Sequence, residues 1–261
     1  MISLLSPAKN MDFSKNVTIP SQIFPVFMED SDILMSKLKK LSARQLGKLM
    51  NLNAQLSDLN FERNQRWNKA FENNDRKEAV FAFNGEVYRG LMASEFSSED
   101  LAFASEHLLI LSGLHGVLRP LDLIQPYRLE MGSKIKISSR IKNLYEFWGD
   151  KVSDYINQSL RDHKEKAVIN LASNEYSRVL ISRKIDAPII DVKFLDWKDG
   201  TYKSVMTWAK LARGMLASTI IKEKIDRLDA VKDLNFGNYS YNESLSSDLS
   251  FVFTREHLPN K

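Results

Sequence analysis

Apolar and polar positions along the chain follow two rhythms. Short unbroken apolar runs bounded by Gly, Pro or charged residues predict buried strands. These are MISLLS (ended by Pro7), EAVFAF, LLILSG, KAVINLAS and PIIDVKFLDW, with GTYKSVMTW as a partner for the last. In DLSFVFTRE, the alternating Leu249, Phe251 and Phe253 predict a terminal strand. The second rhythm is helical. Leu34, Leu38 and Leu41 recur between lysines, and Ser42 with Gln45 forms a capping box that opens a helix striped by Leu46, Leu49 and Met50. After Asn51-Leu52-Asn53, Leu56 and Leu59 continue the pattern, so residues 29–68 form a helical subdomain. SSEDLAFASEHLL is a helix capped by Ser97 or Ser98. NLYEFWGDKVSDYINQSLRDH places Leu144, Phe147, Val152, Tyr155 and Ile156 on one broad face, and TWAKLARGMLASTIIKEKI is a third long helix. Strands and helices interleave, which predicts a mixed α/β single domain over residues 1–261, with a central sheet, surrounding helices and a helical insertion.

Composition narrows the chemistry. The 261 residues include no cysteine, which removes disulfides, thiolate catalysis and cysteine-ligated metals. No apolar stretch is long enough to span a membrane, and the N-terminal run lacks the basic flank of a signal peptide, so a cytoplasmic protein is expected. Thirty-seven Lys and Arg stand against 33 Asp and Glu, a net charge of +4, which permits an anionic partner without requiring one. The four histidines, His107, His115, His163 and His257, are isolated from one another, and no ligand spacing links them; no metal and no cofactor are expected.

One ribbon resists both rhythms. LSGLHGVLRPLDLIQPYRLEMG, from Leu111 to Gly132, has too many glycines and prolines for a helix or strand, and too many charges for a buried connector. Its Arg119 and Arg128, with Lys9 after the first strand and with Lys210 and Arg213 on one helical face, are candidates for a single anion-binding cleft. The competing reading is internal pairing, Arg119 with Asp122 and Arg128 with Glu130. Gly214, beside Arg213, lets a backbone or a phosphate approach closely. NLASNEY places Asn170, Ser173, Glu175 and Tyr176 where a strand gives way to a helix, a usual docking place for ligands; alternatively Ser173 simply caps that helix.

SPAK, FNGEVYRGL, the ribbon itself, LYEFWGD, INLASNEY and KLARGMLASTII occur in the order of the YaaA/DUF328 (UPF0246) family of peroxide stress response proteins, which the chain resembles from Met1 to beyond residue 250. His115 departs from the Tyr common there. The resemblance implies a cytoplasmic bacterial protein that limits free iron and oxidative DNA damage, with a positively charged cleft and a helix-hairpin-helix element that bind double-stranded or distorted DNA without reading its sequence. Carried over, the cleft cations are Lys9, Arg119, Arg128, Lys210 and Arg213. The hairpin falls at Asn51-Leu52-Asn53, where Asn replaces the usual Gly, with Arg44 and Lys48 as further phosphate contacts. A monomer is favoured. The alternative is an enzyme acting on a phosphorylated small molecule or a nucleobase in the same cleft, with Asp122, Glu130, Asn170, Ser173, Glu175 and Tyr176 as its polar groups.

Overall fold

The computed structural model describes residues 1–14, 23–71 and 75–256. The first apolar run is strand β1 (Ile2–Leu5), followed by the short β2 (Asn10–Met11). Helices α1 (Met28–Leu38), α2 (Ala43–Met50) and α3 (Ala54–Arg66) come next. Then β3 (Lys77–Glu78), α4 (Ala79–Ala82), β4 (Phe83–Asn84) and α5 (Glu86–Leu91) lead into α6 (Ser98–His107) and β5 (Leu108–Ser112). The ribbon holds β6 (Gly116–Leu118) and β7 (Leu123–Ile124). After it come α7 (Leu144–Leu160), β8 (Val168–Asn170), α8 (Asn174–Ser177), β9 (Ile189–Lys198), β10 (Thr201–Lys203), α9 (Met206–Lys222), α10 (Leu228–Lys232), β11 (Ser240–Tyr241) and β12 (Ser250–Arg255).

Among the described residues, eight strands make the central mixed sheet, in the order β11-β12-β9-β8-β1-β5-β6, with β10 paired to β9. The pairs β12–β9, β9–β8, β8–β1 and β1–β5 are parallel, and the edges turn antiparallel. One continuous apolar core packs against it, so the fold is a mixed α/β single domain as the interleaved rhythm predicts. A parallel strand covered on both faces has no water-facing side. All four positions of β1 are therefore buried, and the wet Leu249 lies outside β12, whose Phe251, Val252 and Phe253 are all buried.

Three local expectations are corrected. EAVFAF is not one strand: its middle coils into α4, where the amides of Ala79 and Val80 donate to the carbonyls of Asp122 and Pro120 at 2.9 and 3.0 Å. A short apolar run cannot distinguish a strand from one buried helical turn. In α3 the buried face is Ser57, Asn60 and Asn64 rather than the Leu56–Leu59 stripe, and Leu59 is exposed. Finally, α7 is interrupted at Gly149, whose backbone is non-helical.

The ribbon is held in place from within. Trp148 of α7 is fully buried and its indole N–H donates to the Gly113 carbonyl at 3.0 Å. Gly116 has φ +69°, and a Cβ there would lie 2.7 Å from the Trp148 ring, so this turn needs glycine for both conformation and space.

Candidate functional site

In an open parallel sheet, ligands dock beyond the carboxyl ends of strands where the chain departs to opposite sides. Here that place is β1, flanked by β5 on one side and β8 on the other. A cleft of about 380 Å³ opens beyond the ends of β1 and β8. Its walls are the Ser6–Asn10 loop, the start of α5, Ser173 to Tyr176 around α8, and Lys210 with Arg213 from α9.

The placement of α9 follows from a glycine. At Gly214 a Cβ would collide with the Val87 carbonyl of α5, and at Gly90 with the Leu211 carbonyl of α9, so the two helices meet backbone to backbone, and the neighbouring Arg213 lines the cleft. The close approach that Gly214 permits is thus to protein backbone. Arg213 makes no ion pair among the described residues, and its Nε is buried without a partner. Burial pulls the guanidinium pKa down from its ordinary value, because the charge has left water without gaining a counter-charge. Lys210, one helical turn earlier, lines the same cleft and is equally unpaired.

Ser173 occupies the N-cap position of α8 but makes no capping hydrogen bond with its side chain, so the capping alternative is not what its hydroxyl does. The Ser6 hydroxyl accepts the Ser173 amide at 2.8 Å and donates to Ser173 Oγ at 3.3 Å. The proton of Ser173 Oγ therefore remains available to the cleft. Tyr88 and Tyr176 are buried at its wall, and burial raises both phenol pKa values. Tyr88 donates to the Ser6 carbonyl at 3.1 Å, which fixes the loop after β1.

The sequence-predicted cations separate into three groups. Lys9, Lys210 and Arg213 line the cleft. Arg128 adjoins it through Glu130, whose two oxygens take Lys9 at 2.8 Å and Arg128 at 3.2 Å. Arg119 is elsewhere, which corrects the expectation of one five-cation cleft. Its Nε and Nη2 meet Asp122 Oδ1 at 2.9 and 2.7 Å, while Nη2 also donates to the Phe24 carbonyl at 2.8 Å. Asp122 is fully buried, and burial pushes its carboxyl up to about 6 against the pull of Arg119. Arg119 lines a separate cavity beside Tyr155 and His163, and Asp122, buried behind it, lines neither that cavity nor the cleft. Nor does Asn170, which braces the sheet by donating to Asp191 Oδ1 at 2.7 Å and accepting the Ala172 amide at 3.1 Å. Glu175 does reach the cleft while accepting the Gly132 amide at 3.0 Å.

A second basic surface escaped the sequence reading. Lys37, Lys40, Lys48, Lys134 and Lys136 line an open groove of about 880 Å³ between the α1–α2 turn and the extended segment after the ribbon. No carboxylate lines it, none of the five lysines makes an ion pair among the described residues, and its floor is Leu41, Leu49 and Ile135. Along residues 132–137, exposed Gly132, Lys134 and Lys136 alternate with buried Ser133, Ile135 and Ile137. Gly132 lines this groove while its amide holds Glu175 of the cleft, so the two surfaces meet there. Arg63 of α3 is a further cation near Arg128; burial and that neighbour lower its pKa.

Beside the groove stands the α2–α3 hairpin. Ser42 and Gln45 form the expected capping box. Asn51 adopts the left-handed conformation (φ 52°, ψ 56°), whereas Asn53 does not: it is extended and caps α3 through a 2.9 Å bond from the Leu56 amide. Arg44, Lys48 and Asn51 line a shallow hollow at this turn, and Lys48 also faces the groove.

Of the histidines, His107 and His163 lie edge to face at 4.5 Å, His115 is fully buried, and His257 lies outside the described residues. Among the described residues no three His, Asp or Glu side chains form a metal-holding group, and no helix is long and apolar enough to cross a membrane.

Comparison with known proteins supplies a family context. The family model for peroxide stress protein YaaA matches residues 1–245. Curated relatives include a UPF0246 protein of Saccharophagus degradans, 43% identical over 98% of this chain and 100% of its own length. Another, from Cellvibrio japonicus, is 43% identical over 98% and 99%, and one from Colwellia psychrerythraea is 41% identical over 98% and 99%.

Proposed function

The chain belongs to the peroxide stress protein YaaA family, and from that premise we propose that it binds DNA through its phosphate backbone and thereby limits oxidative damage under peroxide stress. The observation that carries this reading is the groove of five lysines without a carboxylate. Lysines held apart from acids keep their full charge for an outside polyanion, and a backbone-directed contact needs no side chain that reads a base edge. The α2–α3 hairpin serves as the helix-hairpin-helix element, with the amides around Asn51, Lys48 and Arg44 facing phosphate. Lys9, Arg128, Lys210 and Arg213 extend the positive surface from the groove toward the cleft. The partner is double-stranded or distorted DNA in the cytoplasm, bound by a monomer.

Counter-ion release supplies the test. If each groove lysine neutralises one phosphate, log Kd for a duplex rises with log salt with a slope of about 4–5, and each lysine removed lowers that slope by about 0.9. Fluorescence anisotropy with a labelled duplex measures both quantities. Lys48→Glu combined with Lys136→Glu is expected to weaken binding more than tenfold while the far-ultraviolet circular dichroism stays unchanged. Duplex binding insensitive to salt and to these substitutions excludes the reading. The effect on free iron is assigned to an indirect route, and equilibrium dialysis with Fe²⁺ is expected to show no tight stoichiometric binding.

A further inference from the structure

The groove and the cleft differ in shape, and the difference assigns them different ligands. A duplex offers its phosphates on a convex surface, which suits an open groove lined by extended lysines. Arg213 is set back in a cleft of about 380 Å³, with its Nε fully buried. The volume lies at the lower end of sites that enclose a single small ligand.

We propose that the cleft binds one nucleoside monophosphate unit, with its phosphate on Arg213 and Lys210. The Arg213 fork supplies planar donors suited to two phosphate oxygens, and Lys210 supplies a second charge from the same helical face. The free proton of Ser173 Oγ, left over once Ser6 has donated to it, points to a third phosphate contact. Asn10 and Asn84, register partners across β2 and β4, also line the cleft and are exposed, and their side-chain amides offer the donors and acceptors that a base edge requires. The unit has two possible sources: a free nucleotide, or a nucleotide turned out of a strand lying in the lysine groove, which meets the cleft at Gly132 and Glu175. Turning one nucleotide out is least costly where the base is already unpaired. The second source rests on the DNA reading; the pocket itself does not.

Isothermal titration of the full chain tests it with dAMP, dCMP, dGMP and dTMP, inorganic phosphate, and the unphosphorylated nucleosides. At least one monophosphate is expected to bind at least tenfold more tightly than phosphate or its own nucleoside. Arg213→Gln and the exposed Lys210→Gln each weaken that binding at least tenfold with unchanged thermal unfolding, whereas Lys166→Gln, just before the amino end of β8 and so at the end of the strand away from the cleft, leaves it unchanged. No heat from any monophosphate at millimolar concentration, or equal binding by both cleft variants, overturns the proposal.

Two DNA arms separate the sources. If a monophosphate competes with a duplex carrying one bulged nucleotide but not with an intact duplex, the bound unit is the extruded nucleotide. If monophosphates bind and neither duplex does, the DNA reading fails and the cleft stands as a free-nucleotide site. If duplexes bind and no monophosphate does, the DNA reading stands and the cleft proposal fails.

Discussion

Arg255 is buried and Arg213 half-buried, and only one of them has a counter-charge. Arg255, 3% exposed, lies opposite Asp196 in the parallel register of β12 and β9. Its Nε reaches Asp196 Oδ1 at 2.7 Å and its Nη2 at 2.6 Å. Tyr239 donates to the two carboxylate oxygens at 2.9 and 3.1 Å, and the guanidinium stacks over Tyr239 and Trp208. The charge of Arg255 is thus neutralised inside the fold, although its Nη2 meets Asp196 as an ion pair and not as a well-aligned hydrogen bond. Arg213 has no such counter-charge among the described residues, although it too sits at the carboxyl side of the sheet. A charge whose partners come from within the fold serves the fold; one left without partners beside a cavity has its compensation outside the chain.

The largest effect expected from this contrast is at the paired arginine. Arg255→Met leaves the Asp196 carboxylate buried with only the Tyr239 hydroxyl, and urea unfolding should show a loss of about 3–5 kcal/mol. Adding Asp196→Leu is expected to restore most of it, since removing both charges removes the desolvation penalty as well. A loss below about 1 kcal/mol for the single variant would show that Arg255 is not held as a structural ion and would end the contrast.

Arg119 is the intermediate case, partly exposed but paired with a fully buried acid. Arg119→Met leaves Asp122 with the backbone amide of residue 119 as its donor and should cost about 3 kcal/mol at pH 8. Burial already holds the Asp122 carboxyl at about 6, and loss of the guanidinium moves it higher. At pH 5 the stranded acid takes up a proton, so the difference between variant and parent should shrink as pH falls. A cost that grows toward low pH would mean that Asp122 is protonated more easily with Arg119 present, against the assignment.

His115 shows a third way to bury a base, as a neutral ring. Ser31 spends its one hydroxyl proton on the Phe27 carbonyl at 2.8 Å, so His115 Nδ1 donates to Ser31 Oγ at 2.9 Å. The other nitrogen, Nε2, is then a bare lone pair with no partner, and Tyr127 packs against the ring edge to face. Burial pulls the imidazole pKa down to about 3, below its ordinary 6.5. The sign follows: the unfolded chain takes up the proton first, so this contribution is intact above about pH 6.5 and is lost as pH falls toward 3. Between pH 7.5 and 5 the loss amounts to about 2 kcal/mol. His115→Asn should lack that part of the slope in parallel urea titrations, and an unchanged slope would remove His115 as its source.

Much of this framework is legible in the sequence. MISLLS and KAVINLAS announce β1 and β8 because an apolar run stopped by a turn residue has few alternatives at that length, and together they locate the cleft. The i, i+3 spacing of Lys210 and Arg213 already puts both on one face of α9. EAVFAF fails as a strand because its amides find partners in the ribbon, some forty residues away. Arg119 fails as a cleft residue for a related reason: Asp122, three positions on, turns it back into the protein. The lysine groove was visible only in halves. The alternation in GSKIKIS and the pair in KLKK are each ordinary surface patterns, and only the packing of the α1–α2 turn beside residues 132–137 makes them one site.

The smallest effect is expected at Arg213, and it is the most discriminating. Arg213→Met removes a guanidinium that is half-buried, unpaired among the described residues and flanked by a second cation, while keeping much of the apolar stem beside Gly214. Without ligand the change in unfolding free energy should stay within about 0.5 kcal/mol, or favour the variant, because no internal partner is stranded. The same substitution should abolish whatever thermal stabilisation a nucleoside monophosphate gives the parent, since a ligand stabilises a fold only through its affinity for the folded state. Arg255 and Arg213 would then differ in opposite directions on two scales: one arginine costly to the fold and silent to ligand, the other silent to the fold and decisive for ligand. A large ligand-free loss at Arg213 would place its counter-charge inside the protein and make the two arginines alike.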